Sequence, residues 1–263
     1  CSFDDKTGLW KGDKKEKERL SELEKQQKEV ISVKNIYSSD KPFVLEKSLS
    51  KKIILSKAKN ISDWKMHGLN HQNFLSNIFL TGIENNFLKK KIGKKKIKKT
   101  KITNSPLIYK NSIFLTDDNG TIYNINLDGK ISWKKNVYKK LHKKIYKIIS
   151  LSIYKNKIYV SDNIGFIYAM NLVDGEIIWI KNHGIPLKSK MKVFNDRIYL
   201  LNQDNRIISL DINNGSIIWS LRLISSFIKS QSFLSSALSK DGDLIISTSS
   251  GDLLNLDSLN GEM

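Results

Sequence analysis

Two histidines stand close enough in the sequence to suggest a metal site. His67 and His71 are four residues apart, a spacing that would place two ligands on one face of a helix. Gly68 and Asn70 disfavour a helix at this point, and no third ligand follows nearby. We therefore expect no metal here. No Ser/His/Asp, Cys/His or paired-carboxylate arrangement is recognisable, so the sequence does not predict catalysis either.

The chain has a single cysteine, and it is Cys1, followed by Ser2. One cysteine cannot form an internal disulfide, whereas a leading cysteine is the residue that carries acyl chains in bacterial lipoproteins. Each buried CH₂ contributes about 0.8 kcal/mol, so two or more chains anchor a protein stably. We expect Cys1 to be lipidated, and Ser2 favours sorting to the outer membrane. The alternative is that the sequence begins at this residue by chance.

The charge is strongly basic and comes almost entirely from lysine. The net charge is +19, with only four arginines among 45 basic residues. Arginine is the residue favoured for bidentate recognition of phosphate and bases, so we expect no nucleic-acid partner. Residues 88–101 contain nine lysines and no aromatic residue on which a base could stack. This run is interpreted as a solvated face, with contact to anionic lipid as the alternative.

A repeat unit recurs along the chain. Its copies occupy residues 107–133, 152–179, 192–219 and 237–263. A glycine aligns in all four copies, and in the first three a tryptophan follows it by four positions. The glycines are Gly129, Gly175, Gly215 and Gly261, and the tryptophans are Trp133, Trp179 and Trp219. A period of about 40 residues is typical of blade or solenoid arrays.

Each copy contains short apolar runs separated by asparagine, aspartate and glycine. Runs rich in Ile, Val and Tyr between turn residues indicate hairpin strands, and Gly and Asn tolerate the positive φ of tight turns. Such units predict an all-β fold, a β-propeller of four-stranded antiparallel blades. Because one blade buries too little apolar surface by itself, we expect neighbouring blades to stack with the repeated tryptophans wedged between them.

The unit resembles the pyrroloquinoline-quinone-type propeller repeat, whose pattern is approximately Ala-x-Asp-x-x-x-Gly-x-x-x-Trp. Residues 210–219 match it best, while Asn126 and Asn171 stand where the aspartate usually is. Enzymes of this type hold the quinone with calcium ligands in the central channel, and many have a disulfide of adjacent cysteines. Neither feature is found in this sequence, so we expect no cofactor.

The order of the parts is similar to that of the outer-membrane-protein assembly factor family (BamB), particularly its α-proteobacterial members. The segment beginning at Trp64 and the residues 249–263, SSGDLLNLDSLNGEM, carry the resemblance. It implies a lipidated charged tether over residues 1–28 and N-terminal strands over residues 29–63 that would close the last blade. Residues 64–263 would then form the first four of eight blades, a partial ring truncated in the fourth blade.

The same resemblance implies a lipid-anchored protein at the periplasmic face of the outer membrane. It would be a non-catalytic scaffold of the β-barrel assembly machinery, with the barrel-forming subunit and unfolded outer-membrane proteins as partners. A family loop of pattern Leu-x-Leu-Arg-Gly-x-Ser, which contacts that subunit, aligns with Ile228 at its second leucine and Lys229 at its arginine. An ordinary connection between blades is the alternative at these residues. A quinoprotein dehydrogenase fragment and a generic ligand- or protein-binding propeller are the alternative functions.

The lipidation of Cys1 predicts how the protein partitions between membrane and solution. When the precursor is expressed in a bacterium, we expect it to enter the detergent phase, and Cys1→Ala should release it into the aqueous phase, because the acyl chains supply the anchor. Cys1→Ala protein that still entered the detergent phase would refute lipidation at this residue.

Overall fold

The computed structural model describes residues 54–81, 88–89, 105–117, 119–143, 145–223, 234–248 and 251–263, together with Glu18, Ser21 and Glu22. The chain divides into two compact units, Cys1–Ile54 and Leu55–Met263. In the first unit Glu18, Ser21 and Glu22 are helical, and these three residues and Ile54 are exposed. The second unit contains the whole repeat array.

The second unit is built from antiparallel sheets that follow one another along the chain. Three sheets have four strands and the last described sheet has three, and each sheet uses its strands in sequence order. The strands are β1 Leu107–Tyr109, β2 Ser112–Thr116, β3 Thr121–Asn126 and β4 Ile131–Asn136 in blade 1; β5 Ile149–Tyr154, β6 Lys157–Asp162, β7 Phe166–Asn171 and β8 Ile177–Asn182 in blade 2; β9 Lys192–Phe194, β10 Arg197–Leu201, β11 Arg206–Asp211 and β12 Ile217–Arg222 in blade 3; and β13 Ser236–Leu238, β14 Asp243–Ser247 and β15 Leu253–Asp257 in blade 4. A single helical turn, α1 Lys140–Lys143, lies between blades 1 and 2.

Neighbouring sheets pack face to face, as a propeller requires. One apolar cluster joins blades 1 and 2, another joins blades 2 and 3, and a third joins blades 3 and 4. In the middle cluster Tyr159 and Ile167 of blade 2 meet Ile198 and Leu200 of blade 3, and all four are buried. The all-β fold of four-stranded antiparallel blades predicted from the repeat is therefore confirmed, with four consecutive blades forming a partial ring.

The repeated tryptophans dock each blade onto the next. The indole Nε1 of Trp133 donates to the Leu172 carbonyl at 3.0 Å, and that of Trp179 donates to the Ile212 carbonyl at 3.1 Å. Trp219 repeats the bond to the Ser258 carbonyl at 3.0 Å. The indole ring also covers the repeat glycine of the following blade, so the aligned tryptophan and glycine of the sequence are the two halves of one contact.

The turns explain why asparagine replaces the family's aspartate. The third turn of a blade joins its third and fourth strands. In the third turn of blade 3, the Asp211 Oδ1 atom accepts from the Asn213 N–H at 2.7 Å. Asn171 accepts from the Val173 N–H at 2.9 Å, and Asn126 accepts from the Lys130 N–H at 2.8 Å. Because the turn needs only a side-chain oxygen acceptor, an amide serves as well as a carboxylate.

The contact between tryptophan and glycine can be tested with two matched alanine substitutions. A Cβ at Gly215, where φ is +70°, would lie 2.6 Å from the Trp179 ring, whereas one at Gly184, where φ is +69°, would meet nothing within 4 Å. Gly184→Ala should cost about 1 kcal/mol of unfolding free energy from the left-handed backbone alone. Gly215→Ala should cost about 2 to 4 kcal/mol, because overpacking against the indole adds to that strain.

Denaturant titration of the two variants measures the difference. Equal losses at both positions would contradict the docking contact.

Candidate functional site

The residues that the sequence singles out for partner binding and lipidation lie outside the described part of the chain. Cys1, Ile228 and Lys229 therefore stay predictions. His67 and His71 are described, and the described residues contain no group of three or more potential His, Cys, Asp or Glu ligands. The His71 ring instead packs at a tilt against that of Phe194, with the ring centroids 4.6 Å apart. Burial, reinforced by the charge of nearby Lys192, lowers the pKa of both histidines.

A segment without repeat character lies along the first strands of all four blades. We call residues 59–79 the strap. Trp64 exchanges two main-chain hydrogen bonds with Ile108 of β1, at 2.7 and 3.0 Å. The Ile153 N–H of β5 donates to the Lys65 carbonyl at 2.7 Å, and the Leu238 N–H of β13 donates to the His71 carbonyl at 2.9 Å. The strap thus pairs with edges that the first strands would otherwise leave open.

Lys192 of β9 fixes the strap to blade 3. Its ammonium donates to the His67 carbonyl at 2.7 Å, to the Asn70 carbonyl at 3.1 Å and to the Asn73 side-chain oxygen. Lys192 is only 1% exposed, and burial lowers its pKa to about 8. Three oxygen acceptors match the three donors of a charged lysine, so the ammonium is satisfied without a carboxylate partner. Sequence reasoning missed this residue because nothing distinguishes it among 45 basic residues.

The second turn of a blade joins its second and third strands, and in blade 2 a carboxylate accepts main-chain hydrogen bonds there. Asp162 is 2% exposed, and its Oδ1 atom accepts from the Ile164, Gly165 and Phe166 N–H groups at 2.8 to 2.9 Å. Its Oδ2 atom accepts from the Tyr138 hydroxyl at 2.5 Å. Burial raises the pKa of Tyr138, so this hydroxyl remains a donor. With both oxygens of Asp162 engaged, this carboxylate holds the turn.

The opposite edges of the sheets are exposed and carry isoleucines beside basic residues. In the part of the chain that the structure describes, the first three sheets end at β4, β8 and β12. Their outward isoleucines are 41% to 52% exposed: Ile131 on β4, Ile177, Ile178 and Ile180 on β8, and Ile217 and Ile218 on β12. An edge strand offers unpaired N–H and C=O groups to another extended chain, and exposed isoleucines add apolar contact. These outer edges are the candidate protein-binding site.

Comparison with known proteins assigns the family. Residues 88–184 and 154–263 match the family model described as outer membrane protein assembly factor BamB, and together the matches cover more than half of the chain. The chain belongs to this family of propellers with pyrroloquinoline-quinone-type repeats. No curated protein matches the chain at a significant level.

Solved structures share the fold at low sequence identity. The quinohemoprotein alcohol dehydrogenase from Comamonas testosteroni is 14% identical with a TM-score of 0.57, over 78% of this chain and 41% of that one. A quinohemoprotein alcohol dehydrogenase from Pseudomonas putida is 14% identical with a TM-score of 0.56, over 76% and 39%. BamB from Moraxella catarrhalis is 15% identical with a TM-score of 0.49, over 58% and 44%. The chain thus spans less than half of each of these structures.

The dehydrogenases raise the question of a bound quinone with calcium. Calcium prefers several carboxylate and carbonyl oxygens. The first strands β1, β5, β9 and β13 carry no aspartate or glutamate, and β9 contributes the cation of Lys192. The strap carbonyls of His67 and Asn70 already accept from that cation. The donors present along these inner edges therefore do not fit a calcium-bound quinone.

Replacement of Lys192 tests how the strap is held. Lys192→Met keeps the side-chain length but removes all three donors, which leaves the acceptors of the strap unpaired. We expect a loss of about 2 to 3 kcal/mol of unfolding free energy, the scale of hydrogen bonds to a charged group. Amide hydrogen exchange should accelerate between residues 64 and 73 more than elsewhere.

Lys134→Met is the control, because Lys134 is an exposed lysine on β4. Unchanged exchange of the strap in Lys192→Met would show that the main-chain bridges hold it without the ammonium.

Proposed function

We propose that this chain is a non-catalytic scaffold lipoprotein that serves the assembly of β-barrel proteins at the periplasmic face of the outer membrane. The function is that named in the description of its family. The observation that carries the proposal is the exposure of the outer strands, whose edges and isoleucines are open in three consecutive blades.

The outer edges match the chemistry of an unfolded outer-membrane protein. Strands of such barrels alternate apolar and polar residues, and before insertion their backbone groups are unpaired. An extended segment can add to an exposed edge through main-chain hydrogen bonds, while its apolar side chains contact isoleucines such as Ile178 and Ile218. Because β-augmentation uses main-chain hydrogen bonds that any sequence can form, it suits a scaffold that binds many different clients.

The remaining parts of the proposal come from the sequence. Cys1 would anchor the chain through its acyl groups, with residues 1–28 as the tether and residues 29–63 as the strands that close the last blade. Ile228 and Lys229 would contact the barrel-forming subunit, since an apolar residue beside a cation can form a small hot spot. Within the residues that the structure describes, no helix is long and apolar enough to cross the bilayer.

A quinoprotein dehydrogenase is the principal alternative, since two of the solved structures that share the fold have this activity. The inner edges weigh against it, because their first strands carry no carboxylate and the strap carbonyls of His67 and Asn70 already accept from Lys192. A generic binding propeller is the second alternative, and it differs from the proposal only in the identity of the client. The decisive measurement is therefore one of binding to outer-membrane clients and to the assembly subunit.

Two sets of substitutions separate client binding from subunit binding. Ile178→Lys with Ile218→Lys places charges on two outer edges, and we expect it to lower capture of an unfolded outer-membrane protein at least fivefold, because edge lysines oppose strand addition. Ile228→Asp with Lys229→Glu should instead lower capture of the barrel-forming subunit. Both are measured by affinity pull-down of the full-length protein, with the fold checked by circular dichroism.

Val173→Lys is the matched control, because Val173 is 79% exposed but lies in a turn and not on an edge strand. Undiminished client capture by the edge variant would contradict the proposed client site. Undiminished subunit capture by the loop variant would remove residues 228 and 229 from the interface.

A further inference from the structure

The connection between blades 1 and 2 presents an apolar residue to solvent among lysines. We call residues 137–148 the first connector. Leu141 in α1 is 78% exposed and Ile145 is 44% exposed. Lys139 and Lys140 are exposed beside them, and the first connector contains five lysines and no acidic residue. Unlike the equally exposed Val173, this leucine stands among lysines with no acidic residue near it in the connector.

A buried lysine holds the first connector in this shape. Lys147 is 1% exposed, and its ammonium donates to the His142 carbonyl at 2.6 Å and to the Ile145 carbonyl at 2.8 Å. The same ammonium lies 4.4 Å from the centre of the Tyr138 ring. Because the two carbonyls flank the turn that follows Leu141, the lysine fixes the backbone that presents this side chain.

The base of the first connector is tightly packed against the second turn of blade 1. A Cβ added to Gly120 would lie 2.3 Å from the Tyr138 ring and 2.7 Å from the Lys147 side chain. On the other side, the Tyr138 hydroxyl donates to Asp162 in the second turn of blade 2. The His142 ring also contacts that of Phe166, with centroids 5.5 Å apart. Contacts to both blades therefore hold the base of the first connector in place.

The chemistry of the first connector favours a lipid surface over a protein. Protein interfaces are enriched in aromatic residues and arginine and depleted in lysine. An aliphatic tip flanked by lysines is instead the composition of segments that insert into the boundary between headgroups and acyl chains. Each lysine near an anionic bilayer adds to the attraction, and the first connector has no carboxylate to oppose it.

We infer that the first connector is a membrane-contact loop, in which Leu141 and Ile145 enter an anionic phospholipid surface while Lys139 and Lys140 bind its headgroups. This contact is separate from acylation of Cys1, and it fixes which end of the blades faces the bilayer. This is the end of the blades at which the second turns lie. Asn136, the last residue of β4 before the first connector, pairs with Thr121, the first residue of β3 after the second turn.

A fluorescent probe at the tip reports insertion directly. The test protein combines two substitutions. Cys1→Ser removes the acylation site and the only native thiol, and Leu141→Cys provides a thiol that is labelled with an environment-sensitive dye. With vesicles of phosphatidylethanolamine and phosphatidylglycerol we expect a blue shift of the dye, and with phosphatidylcholine alone we expect none. The same dye at Val173→Cys is the control, because Val173 is 79% exposed in a third turn, at the opposite end of the blade.

Co-sedimentation with the same vesicles gives the energetic test in the unlabelled Cys1→Ser chain. We expect Leu141→Ser to weaken binding about fivefold to tenfold, because the apolar contact is lost. Lys139→Glu with Lys140→Glu should weaken it at least tenfold, because attraction becomes repulsion. Val173→Ser and Lys130→Glu, at exposed positions in third turns, should leave binding within about twofold.

The inference is overturned if the emission of the dye at position 141 does not shift when anionic vesicles are added. Equal losses in the connector and control variants would also overturn it, because they would assign binding to overall charge. Capture of an acidic protein through Leu141 without vesicle binding would assign the surface to a protein partner instead.

Discussion

The stacking of one sheet upon the next is the constraint on which the rest of this structure depends. A three- or four-stranded blade has two faces, and in blades 2 and 3 both faces are apolar, so neither can be left in water. The indole of one blade therefore covers the glycine of the next and donates to a carbonyl there, a contact that recurs at Trp133, Trp179 and Trp219. Because the contact demands a residue without a side chain, tryptophan and glycine recur together.

Stacking leaves two sets of strand edges, and the protein treats them differently. The inner edges pair with the strap, through Trp64 at β1 and through the Lys65 carbonyl at β5, so they offer no continuous site to another chain. The outer edges at β8 and β12 carry exposed isoleucines. Since both kinds of edge present the same backbone groups, the strap leaves the outer edges as the ones open to the proposed strand addition. A binding protein gains from this arrangement, whereas a channel enzyme would need the inner side.

The sequence predicted what repeats, and it could not predict what occurs once. The period, the turn residues and the tryptophans are each written several times, so the blades and their order of stacking followed from them. The strap is a single segment whose partners lie far along the chain, with Lys192 119 to 125 residues away from its acceptors. No local pattern encodes such a contact. The spacing of His67 and His71 suggested metal ligands. In the structure their backbone carbonyls instead accept hydrogen bonds from blades 3 and 4.

The lysine content shows why position carries more information than composition. Most of the lysines that the structure describes are exposed. Two lysines, Lys147 and Lys192, are 1% exposed, and each gathers main-chain carbonyls from a segment outside the regular strands. An ammonium can do this because it has three donors and a flexible stem, whereas the rigid fork of arginine suits planar partners. The buried ammonium groups of Lys192 and Lys147 thus fix the strap and the first connector to the blades.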